Sequence, residues 1–458
     1  MKLDLSIWRG DELLEEFKIM STLIGRRGLS PNLYLGYGIF GYPPIIYGTV
    51  MVAKNDEFFN YIWFNKDIID ADRPVKLGWI KASGADSTYF GTILRTLGEA
   101  LERFALMVYK GDNIVFTSAH ELERKGEKYV DLSKYPCFAE KQLKKWSFLA
   151  NFTEKDKKKV IGWVKGVELL TGDEIWVPAQ TVYLNYIDVV SQRLIKGGRP
   201  EPMYYPTTSS GAAAGTSLED AIYKGLLELI ERDAFMKTWM CKLPPVARVQ
   251  FDPYQDFGYL WSPRMPIEVK VFDISKVDRL SAFIGVAVNR EDKRPKFVMG
   301  GASGIDPVDG VKKAYIEALH GLGYVRLFKI YKNQPAESIN IQEVMNFEDN
   351  VLYYTDPKVF DTVRFLVETE NVESMSDLRK RYAATKGEIL EALRRNGYNP
   401  VYVDATPESY KDLGIYVVKV VDPKFVPLTP PAIPPLIHPS LDEWCGVGER
   451  NEMPHPYP

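Results

Sequence analysis

Two apolar stretches of this chain carry acidic residues at positions that a helix would have to bury. That conflict limits what the chain can fold into. Around Glu228 and Glu231 stand Leu226, Leu227, Leu229, Ile230, Ala234 and Phe235. At about 3.6 residues per turn they leave almost no polar face, and a helix apolar nearly all round is normally buried. A buried carboxylate is unfavourable unless an arginine, a lysine or a metal ion meets it. The pattern E-x-x-E-R occurs twice, at Glu99, Glu102 and Arg103 and again at Glu228, Glu231 and Arg232. In each copy the carboxylates lie three residues apart on one helix face, where like charges repel unless a cation sits between them. The chain is therefore expected to fold around buried helices whose acidic stripes meet positive charge inside the molecule.

The rest of the text supplies neighbours for those helices. Ile93, Leu94, Leu97, Leu101, Phe104 and Val108 recur at helical spacing and predict a helix near 88–110. A second runs from Ser217 to Met240, with Ser217 and Asp220 placed as a capping box. A third follows from Pro307 to Tyr331 with Asp306 as N-cap, and a fourth is expected over 375–396. The third helix carries Asp309, Lys313, Glu317 and His320. Strands are expected within Val160–Tyr186, Ile267–Phe272, Phe283–Val288 and Phe297–Gly300. The first 75 or so residues read as strands and turns, with hairpin-like punctuation from Leu33 to Tyr47. A small-residue loop precedes each of the first three helices: Ser83-Gly84-Ala85, Ser209 to Gly215, and Gly301 to Gly304. This threefold recurrence reads as an internal duplication. The predicted class is α/β (α+β), with mixed sheets flanked by helices.

Spacing also restricts which groups cooperate. Asp220, Lys224, Glu228 and Glu231 share one stripe, and Lys313, Glu317 and His320 share another. Small-residue loops at helix starts can offer N–H groups to phosphate oxygens. Glu228, however, lies roughly 16 Å along its helix from the start. Loop and carboxylates of one segment thus cannot hold the same phosphate, and helices from different segments must converge.

Of the 458 residues, 45% are hydrophobic and 26% charged, enough for a real core, and the net charge of -3 argues against a long nucleic-acid footprint. No apolar run reaches the length of a bilayer span, and nothing after Met1 resembles a secretory h-region, so a cytoplasmic enzyme without membrane or nucleic-acid partners is expected. Cys137, Cys241 and Cys445 are far apart and lack C-x-x-C spacing, which reads as separate thiols rather than a disulfide framework or zinc site. Gly211 to Gly215 lacks the Lys-Ser/Thr of a P-loop, and no H-E-x-x-H or G-x-S-x-G occurs. Of four histidines, only His320 sits on an acidic stripe.

These segments resemble the YcaO family. Gly98-Glu99-Ala100-Leu101-Glu102-Arg103-Phe104 is similar to its first signature, and Thr208 to Gly215 followed by Leu218 to Ala234 to its second. The resemblance implies a YcaO-type core over 79–425, a leading strand-rich lobe over 1–78 and a Pro-rich tail over 426–458. It implies ATP and Mg²⁺ as cofactors, with metal held by Glu99, Glu102, Asp220, Glu228 and Glu231. Nucleotide contacts would come from Lys81, Ser83, Ser210, Thr216, Arg232, Lys313, Glu317 and His320. Ser210 and Thr216 stand where relatives often have Asn, and Lys313 and His320 where Arg and Gln are common.

Pro454, Pro456 and Pro458 form a P-x-P-x-P end, stiff and poor in backbone donors, which resembles the tail of the azoline-forming branch. The activity implied is phosphorylation of a peptide amide oxygen during Cys, Ser or Thr cyclisation, with Arg103 and Arg232 stabilising charge and the carboxylate at Pro458 as base. Partners expected on the same ground are a precursor peptide and a separate E1-like leader-binding protein. Dimers are common in the family, but no interface signature is legible here. Backbone thioamidation, or nucleotide binding without turnover, are the competing expectations.

Overall fold

A computed structural model describes residues 33–37, 46–52, 80–107, 113–184, 186–187, 201–257, 266–332, 340–341, 344 and 347–458. The expected turn between Tyr37 and Ile46, and most of the remaining residues before Ile80, lie outside this set. Three sheets organise the described residues. The first pairs β1 (Leu33–Tyr37), β2 (Ile46–Val52) and β3 (Ile80–Asp86) antiparallel. A second contains β4 (Val115–Ser118), β5 (Val160–Glu168), β6 (Glu174–Pro178) and β7 (Ala212–Gly215). Its other two strands, β13 (Val401–Asp404) and β14 (Tyr416–Val421), complete the order β4-β5-β13-β14-β7, with β6 beside β5. The third runs β11-β10-β9-β8-β12 through Phe297–Ala302, Phe283–Asn289, Ile267–Asp273, Ala247–Gln250 and Val372–Ser374.

Each sheet ends on an edge strand that leads directly into a long helix: β3 into α1 (Tyr89–Met107), β7 into α2 (Leu218–Met240), β11 into α3 (Pro307–Lys332). Helix α1 lies on β2 and β3 and also meets β7 and β14. Helix α2 lies on β7 and β14 and meets β11, while α3 lies on β9–β11 and meets β3. All three are thus packed among the sheets, as the apolar surroundings of the two E-x-x-E-R segments required for α1 and α2.

The small-residue segments are mostly strand, which corrects the expectation of anion-binding loops. Ser83–Ala85 lies inside β3, Ala212–Gly215 is β7, and Gly301–Ala302 closes β11. Close helix crossing is the reason for their size. A Cβ on Gly84 would sit 2.6 Å from the Thr96 amide nitrogen, and one on Gly215 2.5 Å from that of Ala221.

Capping follows the sequence closely. Ser217 Oγ accepts from the Asp220 amide at 3.1 Å. The Asp220 carboxylate, however, accepts from Thr216 rather than Ser217, so only half of the capping box forms. Asp306 accepts from Val308 N at 2.8 Å, with Pro307 at the first helical position. Beyond α3 come α4 (Phe347–Tyr354), α5 (Met375–Arg381) and α6 (Lys386–Arg395). The single helix expected over 375–396 is therefore two. Tyr382 turns inward to donate its hydroxyl to Asp273 at 2.6 Å, and Thr385 starts α6 by capping Glu388. Strand pairing within 160–186 stops at Pro178, where a 3₁₀ turn begins.

The carboxyl end is built into the core. Residues 451–458 run between α2 and α4, with Asn451, His455 and Tyr457 at 5%, 2% and 2% exposure. Asn350 of α4 donates to the carbonyls of His455 (2.7 Å) and Tyr457 (2.8 Å), and Trp239 of α2 donates to that of Met453 (3.1 Å). Prolines remove backbone donors, so side chains of other elements satisfy the carbonyls that remain. A disulfide joins Cys241, at the end of α2, to Cys445 of the short helix α7 (Asp442–Cys445), with Cα atoms 5.2 Å apart. This corrects the reading of three separate thiols, since 204 residues separate the pair and only folding brings them together. Cys137 remains a fully buried thiol whose proton burial holds more tightly.

Candidate active site

The acidic stripes of the three helices meet. Glu102 of α1 lies close enough to Glu228 of α2 for each charge to affect the other, and Glu231 of α2 senses Glu317 of α3. Burial raises the Glu102 carboxyl well above its ordinary range, and Glu228 and Glu99 add to the push against Arg103 and Lys419. Burial likewise lifts Glu228 to about 7, opposed by Arg232 and Lys419. Glu317 is held below its usual value: burial opposes this, but His320 at 3.3 Å, Arg95 and Arg232 prevail. His320 is raised in turn, as Glu317 outweighs its burial.

Cations are distributed unequally among these acids. Glu99 is committed at both oxygens, to the Ser83 amide at 2.7 Å and to Arg103 at 2.5 Å. Arg232 stands 3.1 Å from Glu228 Oε1 and 2.9 Å from Glu231 Oε1. The Tyr457 hydroxyl donates to that same Glu231 oxygen, and the Arg232 guanidinium lies 4.3 Å from the centre of the Tyr457 ring. Asp220 pairs with Lys224 at 2.7 Å, two turns before Glu228. The five carboxylates expected as one metal set are thus spread. Among the described residues no three His, Cys, Asp or Glu side chains form a ready-made metal cage.

The expected nucleotide contacts fall on two sides of the cluster. Ser210 lines a cavity of about 40 Å³ together with Arg232, Thr208 and Lys419, its hydroxyl 2.9 Å from that of Thr208. Lys313 lines a more open cavity of about 270 Å³ with Asp86, Ser87, Arg95, Asp309 and Lys312. Burial lowers the Lys313 ammonium, helped by Arg95. Ser83 and Thr216 present main-chain amides to Glu99 and Asp220. Lys81 lies on β3, and its side chain is outside the described set. Pro458 is exposed at the end of the buried tail.

Sequence reasoning missed Lys419, Arg95 and Tyr457. Lys419 was detectable as a lone charge in the apolar run Tyr416–Val421, where it is 3% exposed. Tyr457 gave no signal of its own, because its partners are set by where the tail lies.

A family model described as YcaO cyclodehydratase, ATP- and Mg²⁺-binding, matches residues 84–426. The chain belongs to the YcaO family. Solved YcaO-type structures share the fold. A heterocyclase in complex with substrate and cofactor matches with TM-score 0.64 at 20% identity, covering 90% of this chain and 52% of that one. YcaO from Methanopyrus kandleri, bound with AMPPCP and Mg²⁺, matches with TM-score 0.58 at 17% identity, covering 91% of both. An uncharacterized protein of Methanothermobacter thermautotrophicus is 25% identical over 284 residues, 58% of this chain and 66% of that one. The chain therefore spans about half of that heterocyclase and just under two thirds of that archaeal relative.

The YcaO family binds ATP and Mg²⁺, and the side chains here fit that pair. Arg232 Nε, though close to Glu231, is buried and misaligned for a hydrogen bond, so a donor is left over. The Glu102 carboxylate has no hydrogen bond among the described residues. Carboxylate oxygens in small number suit Mg²⁺, which keeps water and phosphate oxygens as its other ligands. Arginine and lysine suit the phosphates.

Proposed function

We propose that this YcaO protein is an ATP- and Mg²⁺-dependent peptide cyclodehydratase. The observation that carries this reading is the tail. Its Tyr457 touches both Glu231 and Arg232, which brings the P-x-P-x-P end to the convergent acidic helices. In this reading Glu102, Glu228 and Glu231 hold the metal, while Arg232, Lys313 and Ser210 contact nucleotide. Bound Mg²⁺ supplies charge neutralisation for the transferred phosphoryl group.

The reaction begins when the thiol or hydroxyl of Cys, Ser or Thr attacks the preceding amide carbonyl and gives up its proton to a base. The carboxylate at Pro458 is one group within the tail suited to that role. The resulting oxyanion takes the γ-phosphoryl group and ADP leaves. Loss of the amide N–H proton then expels phosphate and forms the C=N bond of an azoline. Arg232 stabilises the oxyanion and phosphoryl charge, because a half-buried guanidinium meets little competition from water. Arg103, paired with Glu99, supports the α1 carboxylates. The substrate would be a ribosomal precursor peptide, delivered by a separate leader-binding protein.

The test is mass analysis of precursor peptides encoded beside this gene, incubated with the chain, its partner, ATP and Mg²⁺. Loss of one water per modified residue, matched by ADP and phosphate, is the expected result. Replacement of oxygen by sulfur would assign thioamidation instead. Nucleotide binding with no peptide-stimulated hydrolysis would sink the enzymatic reading.

A further inference from the structure

Among the described side chains, Lys419 is the buried cation of the cluster that a strand supplies. It stands on β14, between β13 and β7, opposite Val403 and Ala212. Val417 and Val421, on the same strand face, belong to the core that holds Leu97, Ala100 and Leu101 of α1. Its Nζ donates to the carbonyls of Thr208 and Ser210, each at 2.6 Å. Beyond those carbonyls, Glu228 and Glu102 act on its charge, and Arg232 and Asp422 line the same cavity. Neither carboxylate approaches it within ion-pair distance, so the ammonium neutralises both from a fixed position.

We propose that Lys419 is a positioning residue that restrains metal binding. Its charge keeps Glu102 and Glu228 from capturing a divalent ion on their own, so that metal enters with the nucleotide phosphates. This rests on the reading that these carboxylates hold Mg²⁺. The physical basis is simple. Two or three carboxylates in a low-dielectric pocket attract a divalent ion strongly, and one fixed positive charge among them offsets much of that attraction. Anchoring by two carbonyls prevents the ammonium from swinging aside, as an exposed lysine would. Nucleotide phosphates then supply the missing negative charge at the moment they arrive.

The sign of the effect makes the idea testable, because damage to a site weakens metal binding whereas loss of a restraining charge strengthens it. Mn²⁺ binding to the nucleotide-free chain is measured by calorimetry for wild type, Lys419→Met, Lys419→Gln and Lys419→Arg. Glutamine keeps a donor for the Thr208 and Ser210 carbonyls while removing the charge. Expected is affinity about tenfold or more tighter in the Met and Gln variants, with Arg like wild type. Unchanged or weaker binding in the neutral variants overturns the proposal, as does equal tightening by Arg. A chain that folds with Arg but with neither Met nor Gln assigns Lys419 to the fold, and overturns it too. Wild-type Mg²⁺ binding with ATP present, compared with Glu228→Gln, separates the two failures. If that binding survives in wild type and is lost in Glu228→Gln, only the Lys419 role falls; if wild type shows none, the metal reading falls with it.

Discussion

Desolvation lifts half-buried Glu228 and buried Glu201 alike to about 7, yet their surroundings give them opposite meanings. Glu228 lies among the charged groups Glu102, Glu231, Arg232 and Lys419, and in the proposed reading it helps to hold Mg²⁺. Glu228→Gln should therefore reduce Mg²⁺-dependent ATP affinity by about a hundredfold or more, read by calorimetry with and without Mg²⁺. Glu201 instead accepts from the Tyr186 hydroxyl (2.6 Å), the Gly162 amide (2.8 Å) and Gln180 (3.2 Å), with no cation partner among the described residues. Burial prevails over those bonds and raises it from 4.5. Between 4.5 and about 7 the folded chain keeps a proton that the unfolded chain has lost. Its contribution is full below the unfolded value and is lost as pH rises through about 7, up to about 3 kcal/mol in all. Thermal unfolding across that range should show wild type losing stability with rising pH and Glu201→Gln losing less.

At the scale of elements, the recurring unit is an edge strand followed by a buried helix, and the crossing between them sets the site. Gly215 lies where α2 begins, beside Asp220 and Ala221. Gly215→Ala would push the helix start away from β7, because a methyl group there meets the Ala221 backbone at 2.5 Å as well as the Asp220 carboxylate. A loss of about 1–3 kcal/mol in denaturant unfolding is expected, with weakened nucleotide binding as α2 shifts. The helix caps were legible from sequence because they depend on residues three or four apart. The break of the helix expected over 375–396 was not, since Tyr382 leaves its helix for Asp273, more than a hundred residues away.

Across the whole molecule, α2 is tied to the carboxyl end along much of its length. Tyr457 packs with Phe235 at 4.6 Å between ring centres, and the Cys241–Cys445 disulfide closes the far end of the helix. Deleting the last five residues would uncover Phe235, Trp239 and Tyr354, so such a truncation should lower the melting temperature as well as turnover. Removing exposed Pro458 alone separates the two effects: the melting temperature should stay while azoline formation falls. Cys445→Ser should destabilise the oxidised chain by about 2–4 kcal/mol and leave the reduced chain nearly unchanged, measured by denaturant titration in both states.

The sequence by itself determined that buried acidic helices exist, where most of them start and which carboxylates share a face. Periodicity, caps and the mismatch between apolar surroundings and charge are local, and a single stretch of text contains them. It also carried the signatures by which the chain resembles its family. Tertiary structure alone decided that Glu99 is fully paired while Glu102 is not, that Lys419 acts on Glu102 and Glu228 from a strand, that Tyr457 reaches Glu231, and that two distant cysteines join. Those facts depend on packing between segments tens to hundreds of residues apart, and no spacing rule along one chain encodes which partners such packing will bring together.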